Sequence, residues 1–159
     1  MKKKYLLLIL GMIFINCNDD DLCAIPEGTI VDPINQQLSI ELINNNGENL
    51  IDNGTYAESD IIVIHRGFEI TNSVNRNFES ERKVIKIGIS GTERGENVWL
   101  IQLNSAATDT LLLDIEQEMG DCGSISYIPR TAFYNGERKL LDTISDSKYY
   151  PRITVLKEQ

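Results

Sequence analysis

The row of acids in "TLLLDIEQEM", residues 110–119, is the first place where side chains stand at a spacing that chemistry could use. If the segment is a strand, Asp114, Glu116 and Glu118 share one face, and Leu111, Leu113, Ile115, Gln117 and Met119 share the other. Same-face neighbours then lie roughly 6.7 Å apart, which suits the paired carboxyl groups of glycoside hydrolysis. A general acid also needs burial or a buried partner to raise its pKa, and the surrounding residues predict neither. The row reads as a solvated strand face cross-paired with a base such as Lys86 or Arg130, with catalysis or a calcium site as the alternatives. The loops "NNNGEN" and "DNGTYAESD" carry oxygen ligands but lack the spacing of an EF-hand.

The thiols are the second chemical candidate. A cysteine nucleophile needs a base to form thiolate, and the chain has three cysteines, Cys17, Cys23 and Cys122, and one histidine, His65. In "DIIVIHRG" His65 shares a face with Ile61 and Val63, while Ile62, Ile64 and Arg66 share the other. A strand apolar on both sides predicts a central, covered position, with His65 a satisfied residue at its end. One histidine is too few for most histidine metal sites. Phosphate loops and nucleophile elbows are absent, so the sequence predicts no catalytic residue, metal or cofactor.

The elements that must position these residues follow a period of two. In "QLSIELI" Leu38, Ile40 and Leu42 point one way and Gln37, Ser39, Glu41 and Ile43 the other, the pattern of a half-buried strand. Further strands are predicted over 60–66, 84–90, 98–103, 110–119, 124–134, 138–141 and 153–156, separated by turn-rich pieces such as "SGTERGEN". Asn135-Gly136 in "FYNGERK" fits a two-residue type I′ hairpin, because both residues accept positive φ. Trp99 shares a face with Ile101 and Leu103 and reads as core, whereas Tyr149 and Tyr150 read as exposed. No segment keeps helical spacing, so the expected fold is all-β, an antiparallel β-sandwich over residues 37–159.

Before that domain stand Lys2, Lys3 and Lys4, an apolar stretch from Tyr5 to Ile15, and then "FINCNDDD". Eleven apolar residues are too few to span a bilayer, which takes about 20 as helix. Residues 17–36 read as an acidic tether. The chain has 15 basic and 24 acidic residues, and loss of the three N-terminal lysines would leave 12 against 24. Such a balance repels phosphate backbones and excludes nucleic acid as a partner.

The apolar run ending at Cys17 resembles a bacterial lipoprotein signal, in which the thiol takes a diacylglycerol and becomes the new N-terminus. Residues 1–16 are then the cleaved signal. The box departs from the usual Leu-Ala/Ser-Gly/Ala-Cys, reading Phe14-Ile15-Asn16-Cys17. With Asp19, Asp20 and Asp21 after it, and with "TDTLLLDIE", "GDCGSI" and "YNGE" further on, the chain resembles small Bacteroidota lipoproteins with an immunoglobulin-like or transthyretin-like β domain. The resemblance implies a lipid anchor on the outer membrane, the three aspartates acting as an export signal to the cell surface, with the periplasmic leaflet as the alternative. It implies a non-catalytic binding or accessory module for an envelope protein or glycan, with envelope maintenance or a carboxylate-dependent hydrolase as the other readings. In an oxidising compartment Cys23 and Cys122 either form one disulfide, closing a loop of about 100 residues worth up to roughly 4.7 kcal/mol, or remain separate thiols.

Overall fold

A computed structural model describes residues 36–77, 80–120, 124–143 and 150–158, and the fold they form is a β-sandwich. The strands are β1 (Gln37–Ile43), β2 (Ile62–His65), β3 (Phe68–Ile70), β4 (Val74–Arg76), β5 (Lys83–Gly88), β6 (Gly95–Gln102), β7 (Thr108–Met119), β8 (Ile125–Tyr134), β9 (Glu137–Lys139), β10 (Asp142–Thr143) and β11 (Pro151–Leu156). Sheet A has the order β10-β11-β1-β5-β4, and sheet B the order β3-β2-β6-β7-β8-β9. A single 3₁₀ turn at Glu58–Asp60 is the helical element among the described residues.

The inward faces follow the sequence alternation. Leu38, Ile40, Leu42, Ile85, Ile87, Ile153 and Val155 of sheet A meet Val63, Trp99, Ile101, Leu111, Leu113 and Ile115 of sheet B in one dry cluster. Trp99 is fully buried, as its phase with Ile101 and Leu103 predicts. Burying one such side chain contributes about 1.5–3 kcal/mol, so this cluster is the main favourable term holding the sheets together.

The Asn135-Gly136 turn forms as expected, with φ of 51° and 80°. Asn135 also accepts a 2.7 Å bond from the Thr110 amide, tying the turn to β7. Gly136→Ala would place a Cβ at positive φ and should cost about 1–2 kcal/mol, read as a lower urea midpoint with unchanged slope.

Four features differ from the sequence expectation. First, β1 pairs with β5 antiparallel but with β11 in parallel register, Ile40 opposite Ile153, so the sheets are not purely antiparallel. Alternation fixes which face a residue takes but carries no information on the direction of a distant partner strand. Second, the polar face of β1 is covered: Ser39 and Glu41 are buried, and Arg82 reaches over to bond Glu41 at 2.7 Å. Third, the segment predicted as one strand over 60–66 turns at Arg66-Gly67, with φ of 52° and 81°, into the short edge strand β3. Fourth, Gln117 and Met119 are exposed, on the part of the β7–β8 ladder that continues past the last β6 pair, Gly95 with Ile115.

Candidate binding face

The cysteines and the aspartates singled out in the sequence, Cys17, Asp19, Asp20, Asp21, Cys23 and Cys122, lie outside the described residues, as does Tyr149. Tyr150 is exposed. His65 sits at the end of β2 with its ring stacked on Trp99, centroids 4.4 Å apart. Its Nδ1–H donates to the Val98 carbonyl at 3.0 Å, which fixes the ring. Among the described residues no group of three or more His, Cys, Asp or Glu is placed to hold a metal ion.

Asp114, Glu116 and Glu118 do share the outward face of β7, half-buried. Arg130 crosses from β8 to bond both Glu116 and Glu118, the latter at 3.1 Å. The hydrogen bond to Glu116 raises the guanidinium pKa above its ordinary value. Arg130 thus supplies the cross-strand partner expected of it. Lys86 does not, because it belongs to β5 in the other sheet, opposite Ser39. A β-bulge between Asp114 and Ile115 lets Arg130 reach both glutamates: the extra residue on β8 re-aims its side chain along the strand. Because these groups are solvated, Arg130→Ala should leave the thermal midpoint within experimental scatter; a large drop would mean the cluster is structural.

Next to this charged end the same outward face becomes apolar. Val98 of β6 stands opposite Leu112 of β7, Leu112 opposite Phe133 of β8, and Phe133 opposite Arg138 of β9, one lateral row across four strands. One row further along, Ile64 of β2 stands opposite Leu100, and Ile62 follows on the same face. Val98 is 47 % and Leu100 41 % exposed, while Ile62, Ile64, Leu112 and Phe133 are half-buried. A hollow of about 400 Å³ lies in this face, lined by Leu112, Phe133, Thr110, Gly136 and Glu96. At its border Glu96 and Asp114 stand directly opposite each other. Among the described residues neither carboxylate has a hydrogen-bond or ion-pair partner. A second hollow, of about 250 Å³, is lined by Arg94, Asp114, Glu116 and Arg130.

Sequence reasoning missed this face, although its signature is visible. "NVWLIQ" and "TLLLD" are apolar in both phases, so each must offer apolar side chains on two sides. The same double phase in "DIIVI" predicts a covered strand. The structure shows instead that Ile62 and Ile64 join an open face.

A second cluster also went unread. Asp109, in phase with Leu111 and Leu113, points inward and is 5 % exposed. It accepts bonds from Tyr134 Oη at 2.8 Å, Asn135 Nδ2 at 2.7 Å and Lys157 Nζ at 2.7 Å, and Lys157 follows β11 of the opposing sheet. Burial alone would raise the Asp109 pKa, but the bonds from Lys157, Asn135 and Tyr134 outweigh it and hold the carboxyl below its ordinary value. Burial and the adjacent Asp109 charge push the Tyr134 phenol up, so it remains the donor. The cluster is fully satisfied and joins the sheets, a structural role.

Against known proteins, the chain matches no family model, no curated protein and no solved structure.

Proposed function

We propose that the chain is a membrane-anchored, non-catalytic lipoprotein of the cell envelope, held by acylated Cys17 and acting as a binding or accessory module through the outward face of sheet B. The observation that carries the reading is the apolar row Val98, Leu112, Phe133 with Leu100 and Ile64 beside it, open to solvent on a sheet whose other face already fills the core. Solvent-facing sheet surfaces are ordinarily polar, and contiguous apolar patches rimmed by charge mark interaction sites. One aromatic ring and few polar groups suit an apolar protein surface better than a sugar.

Two acyl chains, at about 0.8 kcal/mol per buried methylene, would hold such a module stably at a membrane. The acidic run after Cys17 supports display at the cell surface of the outer membrane. Labelled palmitate should enter the wild-type protein and not Cys17→Ala, and protease added to intact cells should remove the domain. An unlabelled, freely secreted wild type would contradict the anchor. Leu100→Asp should change stability by no more than about 0.5 kcal/mol, as for most surface substitutions, yet abolish partner retention. The triple change Asp114→Asn, Glu116→Gln, Glu118→Gln should leave no hydrolytic activity to lose, because no activity depends on these groups in this reading.

A further inference from the structure

We infer that the face of sheet B receives a protein segment that sets an apolar side chain beside a lysine or arginine, the apolar group entering the Leu112/Phe133 hollow and the cation lying between Glu96 and Asp114. This rests on the reading of that face as the contact surface and specifies the chemistry of its occupant.

The sheet breaks a local rule of strand pairing at this point. Like charges directly opposite on one face of an antiparallel pair are destabilising, yet Glu96 and Asp114 occupy such a pair, and among the described residues no cation is bonded to either. Arg130, the nearest candidate, is committed to Glu116 and Glu118. Arg94 lines the neighbouring hollow without pairing with Asp114. The unpaired acids stand where the apolar row ends, and Glu96 itself lines the hollow. A cation brought in by a partner would relieve their repulsion in a site that apolar contact dries, where charge pairing gains strength.

Charge also decides against the simplest alternative. The chain carries a net charge of −9, and like net charge works against self-association, so a second copy is the less favoured occupant. Arg138, at the far end of the Val98–Leu112–Phe133 row, is separated from Asp114 by the width of two strands and leaves the acidic end open.

The test places the photo-crosslinking residue p-benzoylphenylalanine at position 100 of the full chain in the cells that make it. The control places it at Leu156, comparably exposed on the outward face of sheet A. The expected result is a protein adduct from position 100 and not from 156, with the attached peptide carrying lysine or arginine next to apolar residues. Glu96→Lys should lower the adduct yield by about tenfold while the melting temperature stays level or rises, since the new lysine pairs with Asp114. Glu96→Gln should fall between, and Arg138→Gln should retain the adduct. An adduct that survives Glu96→Lys, an acidic attached peptide, or a second copy of this chain as the adduct would overturn the inference and leave the contact face standing. Adducts to lipid alone, or none, would overturn both.

Discussion

Asp109→Ala should destabilise the domain by about 3–5 kcal/mol, the largest loss expected of a polar residue in this fold. The substitution strands three donors at once. Lys157 Nζ, Tyr134 Oη and Asn135 Nδ2 all converge on that carboxylate, and Lys157 is itself largely covered. An uncompensated buried charge costs far more than the intact pair contributes, because desolvation has already been incurred and the Coulomb attraction that offset it is gone. Replacing both partners, Asp109→Leu with Lys157→Met, should therefore recover most of the loss, and the double-mutant cycle should be strongly non-additive. Against a typical domain stability of about 5–15 kcal/mol, the single change brings the protein close to unfolding at ordinary temperature.

The same carboxylate sets an acid limb. Its folded pKa lies below the ordinary value, so the unfolded chain binds the proton more readily, and stability rises with pH through that window. The contribution is fully present above the unfolded pKa of about 3.9 and is lost as pH falls through the folded pKa. Asp109→Asn should flatten this limb, measured as urea midpoints across the acid range.

Trp99→Ala is the second large effect, at about 3–5 kcal/mol. The side chain is fully buried, and His65 stacks on its ring, so truncation opens a cavity and removes a ring contact together. Trp99→Phe should cost clearly less. The indole N–H is buried without an acceptor among the described residues, and deleting it removes a desolvation cost of about 1–3 kcal/mol that offsets part of the lost packing. Because Trp99 is the only tryptophan of the chain, its emission reports wild-type unfolding directly, and the variants can be followed by circular dichroism.

How much of this was legible beforehand depended on the range of the interaction. Alternation gave the inward phase of β1, β6 and β7, and the chemistry of Asn-Gly gave the β8–β9 turn, because both are properties of a few consecutive residues. The Arg66-Gly67 turn was illegible because arginine seldom accepts positive φ. Strands β3 and β4, three residues each, are too short to show a period. The parallel pairing of β1 with β11 joins residues more than a hundred positions apart and has no local signature. For the candidate face, the acids of β7 and their partner Arg130 were readable from strand phase. The apolar rows were not assembled, since Val98, Leu112 and Phe133 come together only once β6, β7 and β8 are known to be neighbours in that register. Asp109 was missed for a simpler reason: it lies just before the predicted start of its strand, although its phase with Leu111 already places it inside.

If the outward face of sheet B binds a partner, it is covered in the cell. Val98→Cys and, as a reference on the other sheet, Leu156→Cys should be labelled with N-ethylmaleimide in intact cells and again after purification. Position 98 should react about tenfold more slowly in cells than in the purified protein, the mark of a bound partner, while position 156 reacts equally in both. Equal rates at position 98 in the two settings would contradict it.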